Sequence, residues 1–128
     1  MRVARLDVTT RSLAILGVLG ALCACQLDTD VQISQNGAVI SLRATARNSN
    51  EGRCIDTISV THVSNGSVVN DWTIHKVGDL PCPSAVDYGA SRSEYQTDTP
   101  PAPLEHGRAY DVLVAGPGYI HQEHFRYR

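Results

Sequence analysis

From residue 31 onward the chain breaks into short segments in which apolar residues alternate with polar ones, and nowhere does a 3.6-residue apolar period appear. A chain patterned this way buries its apolar side in β-sheet, and its helix content should be small. Val31, Ile33, Ile40 and Leu42 flank Asn36-Gly37, a strong two-residue hairpin signal. A turn at that dipeptide sets Ile33 opposite Ile40 and Val31 opposite Leu42, with all four on one face. A second hairpin spans 54–76 around Asn65-Gly66. There a plain two-residue turn puts Ile58 and Val60 on the opposite face from Trp72 and Ile74. Either an extra residue at the turn, with Gly66 in a bulge, restores agreement, or the two strands lie in different sheets. The third pair, 108–115 and 120–128, is joined by Gly116-Pro117-Gly118-Tyr119, with Tyr110, Val112 and Val114 alternating on one face. Between the second and third pairs lie an irregular stretch at 78–91, a short strand at 92–96 and the proline-rich 97–104. The pattern predicts an all-β fold, a small sandwich of about seven antiparallel strands, with a small β-barrel as the alternative.

One stretch sharpens the sandwich reading. Leu104-x-x-Gly107-x-x-Tyr110-x-Val112 resembles the E–F corner of immunoglobulin-like and fibronectin type III domains. That resemblance implies a buried Tyr110 whose hydroxyl bonds to backbone upstream, and Trp72 as the core tryptophan. The chain departs from the immunoglobulin pattern at position 112, where valine replaces the second inter-sheet cysteine.

The amino-terminal segment has another character. Arg2, Arg5 and Arg11 precede an uncharged run over 12–27 whose apolar centre is 13–24. That centre is shorter than the ~20 residues of a membrane-spanning helix and matches a signal-peptide core. Leu22-Cys23-Ala24-Cys25 resembles the bacterial lipobox: an aliphatic residue three before a cysteine, and a small residue just before it. The resemblance implies cleavage before Cys25, with Cys25 carrying palmitate-type acyl chains on its sulfur and amino group, two or three in all. One chain binds a bilayer marginally, whereas several hold firmly. Gln26 is similar to the sorting pattern of outer-membrane lipoproteins. The expected organisation is therefore a signal peptide at 1–24, an acylated tether at 25–30 and one domain at 31–128. The expected location is the bacterial cell envelope, lipid-anchored, at the outer membrane facing the periplasm.

Cleavage removes three arginines and one aspartate, moving the formal net charge from −2 to −4. A mildly acidic domain lacks the electrostatic footprint of a nucleic-acid binder. Two cysteines then remain besides Cys25, namely Cys54 and Cys82. In an oxidising envelope an isolated pair reads as one disulfide, with two free thiols as the competing reading.

Chemistry is thinly signalled. His121-Gln122-Glu123-His124 looks like a ligand cluster, but on a strand only His121 and Glu123 share a face. Two ligands are too few for zinc, so no metal or other cofactor is expected. There is no G-x-S-x-G elbow, no phosphate-binding glycine loop, and the aspartates are scattered, so no catalytic residue is named. The expectation is a binding, adaptor or structural lipoprotein with the bilayer and an envelope protein as partners, not an enzyme. The alternative is an inhibitor or immunity-type lipoprotein, for example against lysozyme, whose inhibitors are faintly echoed in residues 91–95. The loops bearing Tyr88, Arg92, Tyr95 and Leu104 are the expected contact surface, because tyrosine and arginine are favoured there and prolines lower the cost of ordering a loop.

Overall fold

The turns set the architecture. A computed structural model of the chain describes residues 27–128; residues 1–26, with Cys25 and the expected signal peptide, lie outside the described residues. Eight strands follow in order: β1 (Thr29–Asn36), β2 (Val39–Ala46), β3 (Thr57–Ser64), β4 (Ser67–Lys76), β5 (Ala85–Asp87), β6 (Tyr95–Thr99), β7 (Ala109–Gly116) and β8 (Tyr119–Arg126). They form two antiparallel sheets, β1-β2-β5 and β6-β4-β3-β7-β8, and no helix occurs among the described residues. Among the described residues no strand ladder joins the two sheets, so the layers face one another as a sandwich and do not close into a barrel.

The first hairpin turns at Gly37-Ala38, one residue later than the sequence implies. Asn36 pairs with Val39 and Ile33 with Leu42, a register displaced by two. Gly37 alone of the two turn residues has positive φ (60°), the requirement of a type II′ turn with glycine first. A shift of two preserves the face of every side chain, so the apolar set still points inward. The second hairpin does turn at Asn65-Gly66, where both residues have positive φ as a type I′ turn needs. Its extra residue sits inside the strand and not at the turn. Val60 pairs with Trp72 and Thr61 with Asn70, which leaves Asp71 as the bulge. Ile58, Val60, Trp72 and Ile74 thereby share the interior face, all of them buried. The short strand expected at 92–96 starts three residues later, as β6. β5 arises inside the stretch read as irregular, because Val86 can lie opposite Leu42 and enter the core.

The core is built from both inner faces, Ile40, Leu42, Ala44 and Val86 meeting Ile58, Val60, Trp72, Val112 and Val114. At roughly 2 kcal/mol for each large buried aliphatic, this layer is the main stabilising term. Trp72 is fully buried with its ring 5.0 Å from that of Tyr88. Tyr110 is buried, and its hydroxyl accepts the backbone N–H of Glu105 at 2.8 Å.

Strand direction gives the sandwich two poles. At the near pole Leu27 donates its N–H to Gly118 at 2.6 Å, beside the β7–β8 turn. The Cys54–Cys82 disulfide lies at this pole too, just before β3. The far pole gathers the β1–β2 and β3–β4 turns, the loop over 104–108 and residues 127–128.

Candidate functional site

Three of the four side chains expected at a contact surface are used to hold the fold. Tyr95 is buried and donates its hydroxyl to the Ile55 carbonyl at 2.7 Å. Tyr88 packs on Trp72 and donates to the Ala102 carbonyl at 2.7 Å. Leu104 packs against the core. Arg92 is exposed and pairs with Glu94 at 3.1 Å. For Tyr95 the contact-surface assignment is therefore corrected, since an aromatic side chain next to a proline loop can fill the gap between two sheets as readily as it can face solvent; Tyr88 and Leu104 are half-buried. Cys54 and Cys82 are bonded, with Cα atoms 5.1 Å apart.

Four of the five histidines each face a carboxylate. His121 and Glu123 lie on the same face of β8 and meet at 2.8 Å. His124, on the other face, meets Asp111, its cross-strand neighbour on β7. His75 meets Asp98 at 2.5 Å in an exposed pair. The three-donor group that geometry brings together among the described residues is Cys54, Asp56 and Cys82. Two of those donors are joined as the disulfide, which leaves Asp56 alone to ligate.

The fourth pair is buried, and its position follows from the bulge. Asp71, the extra residue of β4, turns its carboxylate inward to His62, with Nδ1 to Oδ2 at 2.6 Å and both residues buried. Arg108 approaches the other ring nitrogen, Nη1 to Nε2 at 3.1 Å. A guanidinium only donates, so Nε2 must accept; the ring proton then lies on Nδ1 and is donated to Asp71. Arg108 also reaches Glu105 at 2.8 Å, and the His62 ring stands edge-on to Tyr110 at 5.8 Å. The acceptor nitrogen of His62 thus faces a guanidinium. The array links β3, β4 and the loop before β7.

Next to it opens a cleft of about 700 Å³ between β1 and β8. This is within the size range of ligand sites. Ile33, Ile40 and Phe125 line its apolar part, and Gln35, Arg126 and Arg128 its polar rim. Phe125 stacks on Tyr110 at 5.2 Å, so the cleft floor rests on the same tyrosine as His62. Arg126 donates to the Gly107 carbonyl. The Gln35 side-chain amide bridges the two edges, donating to the Arg128 carbonyl at 2.7 Å and accepting the Arg128 N–H at 3.0 Å. At the same pole Val63 and Val68 stand opposite each other on the β3–β4 tip, 63% and 72% exposed.

Sequence reasoning missed both features. The face conflict in the second hairpin was a signal for an inserted residue, and Asp71 beside Trp72 is the polar residue it would turn inward. The cleft had no local signal, since Gln35 and Arg128 are 93 residues apart.

Burial pushes three phenols up. Tyr119 rises to about 12 through desolvation, then the nearby Asp56 carboxylate. Tyr95 rises to about 12 through desolvation. Tyr88 does the same, with Asp71 adding to the effect. Comparison of the chain with protein-family models, curated proteins and solved structures finds no match.

Proposed function

We propose that this chain is a lipid-anchored protein of the bacterial cell envelope, held by acyl chains on Cys25, whose domain acts by binding an envelope protein through the β1–β8 cleft. The observation that carries the reading is polarity. Leu27, two residues beyond Cys25, lies at one pole, and Arg126, Arg128 and the β1–β2 turn lie at the other. Strands of eight residues separate them, about 26 Å at the usual rise. An anchor at Cys25 would leave the cleft and the Val63–Val68 tip facing away from the bilayer, where a partner can reach them. Exposed apolar side chains rimmed by charge are the kind of surface that partners cover.

Two measurements test this. Mass spectrometry of detergent-extracted protein should give an amino-terminal peptide that begins at Cys25 and carries acyl chains. An unmodified Cys25, or a mature terminus elsewhere, overturns the anchor. Cross-linking in intact cells should capture a partner with the wild type and lose it with Arg126→Glu/Arg128→Glu at unchanged folding. An unchanged cross-link in that variant overturns the cleft as the binding surface.

A further inference from the structure

We infer that Asp56 guards the Cys54–Cys82 disulfide against thiol–disulfide exchange, its carboxylate opposing the negative charge that every route of reduction places on these sulfurs. The inference stands apart from the reading of the cleft and concerns the opposite pole.

The bond is open to a reductant and holds a joint of the fold. Cys54 and Cys82 are both half-buried, whereas Ile55 between the two contacts is fully buried. The disulfide ties the segment before β3 to the segment before β5, and beside it Ile55 donates its N–H to the Pro83 carbonyl at 2.9 Å. A thiol that reached the sulfurs would loosen one sheet from the other.

Asp56 is turned onto this bond. Its Oδ1 lies 3.4 Å from the Cys54 Sγ and 3.9 Å from the Cys82 Sγ. Sulfurs joined to each other carry no hydrogen, so neither contact is a hydrogen bond. Among the described residues no ion pair includes Asp56, and no N–H or O–H donates to its side chain. Arg53, next to Cys54 in the chain, makes no ion pair with it. The backbone sets this placement. Asp56 donates its N–H to Ala115 on β7 at 2.8 Å and accepts the N–H of Lys76 on β4 at 2.6 Å, so only the side chain is left to lie over the sulfurs. A second oxygen, the Ile55 carbonyl, lies 3.3 Å from the Cys82 Sγ. The charge of Asp56 is felt locally, since after burial it is the next contribution that pushes the Tyr119 phenol up to about 12.

Reduction must work against that charge. A thiolate bonds to one cysteine sulfur, the S–S bond breaks, and its electron pair leaves on the other sulfur as a thiolate. A second external thiolate then displaces the first, so two external thiols end as their own disulfide while Cys54 and Cys82 end reduced and take up two protons from water. Attack at Cys82 expels the Cys54 sulfur as an anion beside Asp56. Attack at Cys54 brings the incoming anion beside Asp56 and expels the Cys82 sulfur little farther away. Either way like charges gather within a few ångströms, at a half-buried site where water screens them less than in bulk. Exchange-prone cysteines sit in electropositive surroundings, and this pair has the reverse.

The test uses the full chain in detergent, with any free thiol of Cys23 and Cys25 alkylated beforehand while the disulfide is intact. Reduction is followed by pulsed alkylation, read by mass spectrometry on the peptides that bear Cys54 and Cys82. Three thiols are compared at equal thiolate concentration: mercaptoethanesulfonate with an anionic side group, mercaptoethanol with a neutral one, and cysteamine with a cationic one. The wild type should be reduced slowest by the anionic thiol and fastest by the cationic thiol. Asp56→Asn, whose backbone bonds are kept, should speed the anionic thiol by about tenfold or more and the cationic thiol least, so the spread among the three collapses. Asp56→Glu should keep the wild-type order. Salt at roughly 1 M, where the Debye length is about 3 Å, should narrow the spread in the wild type. Equal acceleration of all three thiols in Asp56→Asn, or none, overturns the inference. So does a rate in that variant that does not depend on thiol concentration, because exchange then waits for unfolding and the carboxylate protects the fold instead of the bond.

Discussion

Asp71 would be a liability anywhere else in the interior of β4, because an unpaired buried carboxylate is among the most destabilising of groups. It is tolerated because His62 donates to it, and because Arg108, across the ring, supplies the compensating charge. Neutral imidazole between carboxylate and guanidinium leaves no ring nitrogen unsatisfied. Asp71→Ala removes the acceptor and the charge together, leaving the buried His62 N–H without a partner, while Arg108 keeps Glu105. The expected cost is about 3 kcal/mol in a denaturant titration. Asp71→Asn keeps an acceptor oxygen for His62 and loses only the charge, so it should cost about 1 kcal/mol. If the two substitutions cost the same, the hydrogen bond to His62 is not what stabilises Asp71. The sequence carries Asp71 and His62 as ordinary polar residues nine positions apart. Only the bulge turns them toward one another, and a bulge is a property of two strands in register and not of either alone.

Strand alternation was legible at the scale of elements, and register was not. Val31, Ile33, Ile40 and Leu42 announce which face is inner, and this survives a turn that slips by two residues. The slip itself depends on whether Asn36 or Gly37 begins the turn, and φ at Gly37 decides it. β5 went unread because three residues carry too little alternation to stand out. The cleft was illegible because it is assembled from the two strands farthest apart in the chain, β1 and β8. Close approach between elements is likewise invisible in a sequence, and Gly116 shows this at the end of β7. A Cβ there would lie 2.0 Å from the carbonyl oxygen of Cys54 and 2.5 Å from the ring of Tyr119. Gly116→Ala must push the segment bearing Cys54 away from β7, and should cost about 3 kcal/mol. Gly66→Ala meets open space, so only the positive φ of 77° is strained and the cost should be about 1 kcal/mol. Denaturation midpoints of the two variants in the same buffer check the ranking. A Gly116→Ala protein as stable as Gly66→Ala would mean that the loop before β3 yields freely.

Across the whole molecule, the two sheets are joined at the near pole by one short segment. Cys54 is bonded to Cys82, Ile55 takes the carbonyl of Pro83 at 2.9 Å, and Asp56 takes that of Ala115 at 2.8 Å. Two tyrosines from different strands complete the attachment. Tyr119 of β8 donates to the Cys54 carbonyl at 2.6 Å, and Tyr95 of β6 donates to the neighbouring Ile55 carbonyl at 2.7 Å. Both hydroxyls must stay protonated to donate, and desolvation, which disfavours the phenolate, raises both to about 12. Tyr88, likewise raised to about 12 by burial, holds the Ala102 carbonyl on the other side of Trp72. The consequence for stability has a definite sign. In the unfolded chain a tyrosine titrates near 10, so below that pH both states hold their protons and stability is complete. Between about 10 and 12 the unfolded chain gives up its protons while the folded one retains them, and the equilibrium moves toward unfolding. The domain should keep its structure up to about pH 10 and lose it in one cooperative step below about pH 12, with tyrosinate absorbance and near-ultraviolet circular dichroism changing together. Tyr95→Phe and Tyr119→Phe should each make that step less steep, because each removes one linked proton. Tyrosines that ionise near 10 in a protein still folded would show that Cys54 and Ile55 do not depend on these hydroxyls.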